Sequence, residues 1–127
     1  MSTARVGVTQ IGQIAIRAQE LERAIAFYRD VLELPFLFST GGLAFFQCGE
    51  VRLMLNRPET AAVDHPGSII YYKVADIQQA YGRLRNQNVQ FIDEPHLIAK
   101  MPDHELWMVF FYDTEGNTLA LMAEVRE

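Results

Sequence analysis

Two stretches of this chain can be laid over one another. Placing Glu20 on Asp76 also sets Arg17 on Lys73, Leu21 on Ile77, Ala24 on Ala80 and Tyr28 on Leu84, an internal repeat of about 55 residues. That period is too long for a solenoid unit, and 127 residues hold only two copies of it. The chain therefore reads as one domain over 1–127, made of a first module at about 9–57, a linker at 58–67 with two prolines, and a second module at about 68–124. Each module runs strand, helix, then three strands. Two open sheets, each with a helix on one side, leave their other faces to be filled by side chains, by a ligand or by each other.

The local patterns carry this order. Ile14 and Ile16 alternate with Gln13, Ala15 and Arg17, which predicts a strand over Ile11 to Ala18. From Glu20 to Leu32 the period lengthens to that of a helix, with Leu21, Ala24, Ile25, Tyr28, Val31 and Leu32 on one face. Phe36 to Phe38, Leu43 to Cys48 and Val51 to Asn56 read as strands, with Gly41-Gly42 and Gly49-Glu50 as the turns between them. In the second module Ser68 to Val74 is a strand, and Asp76 caps a helix whose buried stripe is Ile77, Ala80, Tyr81 and Leu84. Asn88 is its stop signal. Val89 to Ile92, Glu105 to Tyr112 and Thr118 to Ala123 follow as strands, the last two joined by the turn Asp113-Thr-Glu-Gly-Asn117.

Composition narrows the function classes. Half the residues are apolar, enough for a core that needs neither metal nor disulfide to fold. A formal charge of −5 without a Lys/Arg stripe argues against nucleic acid as a partner. The longest apolar runs fall far short of the ~20 residues that span a bilayer, so no membrane role is expected. Cys48 is the only cysteine and no leader pattern precedes the first module, which points to the cytoplasm.

The stretch Gln13-Ile-Ala-Ile-Arg-Ala-Gln-Glu-Leu-Glu-Arg-Ala-Ile-Ala-Phe-Tyr-Arg-Asp-Val-Leu32 resembles the opening strand and helix of the vicinal oxygen chelate superfamily, and Phe27 to Leu32 is the most specific part of the match. Asp113-Thr-Glu-Gly-Asn117 resembles its closing Asp-Pro-Asp-Gly-Asn signature. That superfamily contains glyoxalase I, extradiol dioxygenases, methylmalonyl-CoA epimerase, and fosfomycin and bleomycin resistance proteins. The resemblance implies an α+β fold of paired βαβββ modules forming a cupped mixed sheet, commonly as a homodimer.

It also implies where a divalent metal would sit. The family's ligands are His, Glu or Gln on inward strand positions, three or more around the ion with one position open to substrate. The first such position is Gln13, whose amide oxygen can ligate. Its equivalent in the second module is Ile69, the last strand offers Ala120, and the remaining position is Arg52. Alkyl groups have no donor atom, and a guanidinium is always charged and accepts nothing. No cofactor is therefore expected. The rival reading is a lyase or isomerase of the glyoxalase type that rebuilds a Zn, Ni, Mn or Fe site from Gln13 and loop or partner residues.

What remains is a set of ligand-binding candidates. Gln13 and Arg17 share one strand face, and Arg52, Met54 and Asn56 share another by the same alternation. The Gln-x-x-x-Arg and Leu-x-x-Asn spacings resemble glyoxalase I, where the matching arginine and asparagine help to hold glutathione. With both arginines inward the pocket favours an anion such as a carboxylate or phosphate; the alternative is a solvent-facing Arg17 and an Arg52 paired with Glu50. Tyr71 and Trp107 are the expected aromatic walls. His65, His96 and His104 read as solvated loop residues, but Lys100 to His104 ends a connection starting at Asp93 that has the length of a lid, so His104 is retained as a candidate. Cys48 reads as an inert thiol. A third reading, sequestration of a cationic drug as in bleomycin resistance proteins, lacks an acidic run to mark its groove.

Overall fold

The computed structural model describes Gly7, residues 10–58 and residues 68–126. His65 and most of the expected linker lie outside the described residues.

The first module comprises β1 (Gln13–Arg17), α1 (Leu21–Ala26) continued by a π-helical turn (Phe27–Val31), β2 (Phe36–Thr40), β3 (Leu43–Cys48) and β4 (Val51–Asn56). The second comprises β5 (Ile70–Lys73), α2 (Ile77–Asn86), β6 (His96–Lys100), β7 (Glu105–Tyr112) and β8 (Thr118–Val125). Each forms its own four-stranded mixed sheet, in the orders β1-β4-β3-β2 and β5-β8-β7-β6, with the first strand parallel to the last and the other ladders antiparallel. The repeat is thus a repeat of topology as well as of sequence.

Alternation along the strands decides which residues are core. Ile16, Leu53, Leu55, Ala44 and Phe46 of the first sheet, and Val109, Phe111, Leu119 and Leu121 of the second, are buried in one continuous cluster with the helical residues Leu21, Ile25, Tyr28, Ile77 and Leu84. The neighbours of these strand residues in sequence point to the opposite side of each sheet, called here the open face.

Several expectations change in detail. The single helix predicted to Leu32 becomes α-helical only to Ala26, because the N–H of Leu32 reaches back five residues to Phe27 O at 2.9 Å. The extra residue in that turn lets Phe27, as well as Tyr28, reach the core. The strand expected at Val89 to Ile92 is reduced to an isolated Phe91–Phe111 bridge, since Asp93 Oδ1 takes the N–H of Phe110 at 2.9 Å in place of a backbone acceptor. Pairing with β7 resumes one segment later, at β6, between Pro95 and Pro102. The stretch read as a lid from Asp93 to Asp103 is therefore largely a sheet edge, closed by a short hairpin in which Met101 N–H donates to His104 O at 2.8 Å.

The caps behave differently in the two modules. Asp76 accepts the Gln79 N–H at 3.0 Å, an N-cap made within α2, and Asn88 ends that segment at φ 64°. Glu20 stands at the N-cap of α1 but makes no side-chain cap. Its N–H is satisfied instead by Glu115 Oε1 at 2.8 Å, from the far module.

Candidate functional site

The two tight turns at Gly41 and Gly49, both at positive φ, fix the register of β2, β3 and β4. Opposed pairs are Thr40–Leu43, Phe38–Phe45 and Ser39–Ala44 across the first, and Cys48–Val51, Gln47–Arg52 and Phe45–Met54 across the second. The parallel β1–β4 ladder then sets Gln13 beside Arg52, Ala15 beside Met54 and Arg17 beside Asn56. The open face of the first sheet is consequently ordered in rows. A central apolar row runs Phe38, Phe45, Met54, Ala15. One flanking row holds Gln47, Arg52 and Gln13, and the other holds Thr40, Leu43, Asn56 and Arg17.

Side-chain contacts follow these rows. The Phe38 and Phe45 rings stack with centroids 4.7 Å apart and planes at 27°. The Arg52 guanidinium carbon lies 5.7 Å from the Phe45 ring centre, a cation–π distance. Among the described residues no carboxylate is within ion-pair distance of Arg52, so the expected alternative, a pair with Glu50, is not formed. Gln13 Nε2 meets the Met54 sulfur at 3.8 Å. Gln47 Nε2 is engaged by Gly49 O at 2.7 Å.

Five of the candidate residues, Gln13, Arg17, Arg52, Met54 and Asn56, are therefore brought to one face. Tyr71 is on the open face of the other sheet, its ring edge-on to Phe110 at 5.9 Å. Trp107 is not beside it. The indole is opposite Ala123 and packs on the core, with Nε1 donating to Glu105 at 3.1 Å, because residue 107 has the opposite parity to Phe110 along β7. His104 sits in the outer β6–β7 hairpin, its Nδ1 2.7 Å from Asp103 Oδ1. That bond holds the Asp103 carboxyl below its ordinary range. Phe38 and Phe45 were not among the candidates, although counting outward from the two glycine turns places both on the row of Met54.

The positions at which the superfamily implies a divalent metal do not fit one. Arg52 is the register partner of Gln13 and carries a fixed positive charge. Ile69 is 41% exposed just before β5, and Ala120 has no exposed surface between its partners Tyr71 and Phe110. Among the described residues no group of three or more His, Cys, Asp or Glu side chains is placed to hold a metal ion. Cys48 is half-buried, and burial pushes its thiol up rather than toward the reactive thiolate.

The junction of the modules is polar and closed. Tyr28 Oη donates to Asp113 Oδ2 at 2.7 Å, and Asn117 Nδ2 donates both to Asp113 Oδ2 at 2.8 Å and to Arg17 O at 2.9 Å. Asp113 Oδ1 accepts the N–H groups of Glu115 and Asn117, each at 2.8 Å. This turn thus ties the end of β1, where Arg17 leaves the sheet, to the start of β8.

Among described residues no helix is long and apolar enough to cross a membrane. Comparison with known proteins agrees with the topology. The chain is similar to the solved structure of a lactoylglutathione lyase from Agrobacterium tumefaciens, at 23% identity and a TM-score of 0.73 over 91% of this chain and 93% of that one. It is similar to a glyoxalase/bleomycin resistance protein/dioxygenase superfamily member from Sphaerobacter thermophilus, at 20% identity and a TM-score of 0.78 over 92% and 98%. It is also similar to an antibiotic binding protein from Streptomyces, at 18% identity and a TM-score of 0.75 over 94% and 99%. At these identities the likeness shows a shared fold and carries no activity with it. No match is found among curated proteins. A family model, however, spans residues 10–121, and by that match the chain belongs to the glyoxalase/bleomycin resistance protein/dioxygenase superfamily.

Proposed function

We propose that this chain is a cytoplasmic, homodimeric member of the superfamily that binds a small organic anion on the open face of its first sheet without the divalent metal of its relatives. The observation that carries the reading is Arg52: a guanidinium on a sheet face, over a phenyl ring and, among the described residues, without a carboxylate at ion-pair distance, standing where a metal ligand would be needed. A cation-binding site built around it would have to overcome like-charge repulsion; an anion meets an available charge-assisted donor. Asn56 and Arg17 on the far row supply further polar contacts. The dimer is supported by apolar side chains on both outer strands, where Leu37 of β2 and Ile98 of β6 are 43% and 45% exposed.

Three measurements test this. Metal analysis of the purified protein is expected to find no stoichiometric Zn, Ni, Mn or Fe; stoichiometric metal that disappears in Gln13→Ala would establish the rival glyoxalase-type site instead. Thermal-shift screening is expected to favour anions over their neutral isosteres and to lose that preference in Arg52→Ala. Light scattering is expected to give a dimer that Leu37→Asp or Ile98→Asp weakens, and a monomeric wild type would remove that part of the proposal.

A further inference from the structure

Resting on that reading, we infer that the ligand is an aromatic carboxylate, its ring laid on the Phe38–Phe45–Met54 row and its carboxylate held by Arg52 and Gln13.

The order of the rows selects the shape. The apolar row crosses the strands, so its width is that of one residue, and polar groups border it on both sides. A flat ring lying on the row buries both the row and itself, whereas a bulky ligand would have to desolvate the flanking amides and guanidinium without replacing their hydrogen bonds. Phe38 is 47% exposed while already stacked on Phe45, so a ring face of this pair remains available to a third ring. Aromatic rings prefer such offset or edge-on partners over aliphatic ones.

The polar contacts select the charge and its position. Arg52 lies at the border of the aromatic row, and among the described residues no carboxylate is within ion-pair distance of its five N–H donors. Beside it, Gln13 Nε2 rests on a thioether, a weak acceptor that any carboxylate oxygen would displace. Gln47, on the other side of Arg52, is already committed to Gly49 O. A carboxylate attached directly to a ring on the Met54 row therefore meets two adjacent donors, one charged. Inorganic phosphate would find the same guanidinium but nothing for the apolar row.

The test uses the full chain and four probes: 2-naphthoate, its saturated analogue decahydro-2-naphthoate, the neutral 2-naphthalenemethanol, and inorganic phosphate. Titrations are followed by calorimetry and by the 13C-methyl resonance of Met54, assigned with Met54→Leu. The expected result is that 2-naphthoate binds roughly two- to tenfold tighter than the saturated acid, shifts the Met54 methyl upfield by its ring current, and loses tenfold or more of its affinity in Arg52→Ala. Phe45→Leu should erase the aromatic preference while leaving carboxylate binding. If the saturated acid or phosphate binds as well as 2-naphthoate and Arg52→Ala weakens all of them, the aromatic inference falls and the anion site stands. If no anion binds, or Arg52→Ala binds 2-naphthoate as well as wild type while folded by circular dichroism, both fall.

Discussion

Replacing Glu115 by alanine should destabilise the protein by about 2–4 kcal/mol, although the residue lies in a turn that the sequence presents as ordinary hairpin chemistry. Its side chain has 0% exposure and accepts three hydrogen bonds: from Glu20 N–H at 2.8 Å, Arg23 Nε at 2.8 Å and Thr114 Oγ1 at 2.9 Å. Loss of the carboxylate strands the Glu20 N–H at the start of α1, which costs ~1–3 kcal/mol if water cannot replace the acceptor, and forfeits the Thr114 hydrogen bond, worth ~0.5–1.5 kcal/mol. Arg23 is 55% exposed and rehydrates, so its half of the ion pair adds little. Burial pushes the Glu115 carboxyl up, but the bonds from Arg23, Glu20 N–H and Thr114 together outweigh it and hold the group below its ordinary value of 4.5. A carboxyl lowered in the folded state stabilises above its unfolded value, and that contribution is lost as pH falls through the folded one. Urea unfolding of wild type and Glu115→Ala at neutral pH and below pH 4 should therefore show a gap that narrows on acidification. Glu115→Gln, which keeps the acceptor for Glu20 N–H, should lose only about 1 kcal/mol. A difference under ~0.5 kcal/mol at neutral pH, the size expected of an ordinary surface substitution, or a gap that widens in acid, would refute this account of the junction.

Tyr28→Phe removes a fully buried donor to a carboxylate and should cost ~1.5–3 kcal/mol with an unchanged dependence on urea concentration; a cost near zero would mean that Asn117 Nδ2 by itself satisfies Asp113 Oδ2. Asp76→Ala should cost ~0.5–2 kcal/mol through the α2 cap, read from the same urea transitions, and Asp76→Asn should recover most of it. Ala120→Glu restores a carboxylate at the superfamily position but forces it between Tyr71 and Phe110, at a site with no exposed surface; the expected result is a Tm lowered by several degrees and no gain of bound metal, because Arg52 and Ile69 still offer no ligand atoms. Stoichiometric metal in that variant would refute the fit argument.

Most of the fold was legible because its determinants are local or repeated. The helical stripes, the glycine turns and the period-2 alternation of Ile14 and Ile16 each act within a few residues, and the repeat makes each module a check on the other. The differences arise where packing chooses between local alternatives that the residue pattern leaves equal. The π-helical turn at Phe27 rests on a five-residue reach of the Leu32 N–H, the side taken by Trp107 on which parity of β7 meets the core, and the displacement of pairing from Val89 to His96 on the acceptor that the neighbouring strand meets. Asp93 taking the Phe110 N–H is such a case, and no property of residues 89–92 by themselves announces it.

For the candidate site the division is similar. The sequence by itself determined which atoms are available: a guanidinium, an isoleucine and an alanine where ligands would be needed are chemistry, and no tertiary arrangement turns them into metal donors. It also determined that Gln13 and Arg17 share a face, and Arg52 with Met54 and Asn56, because strand alternation is a property of the backbone. Only the tertiary structure decided that these two faces are one, through the parallel ladder that sets Gln13 against Arg52, and that Phe38 and Phe45 complete their row. Only it showed that α1 begins on a carboxylate 95 residues away in sequence. Register between strands distant in the chain is set by the packing of the whole core. It brings to one place side chains whose identities were plain and whose proximity was not.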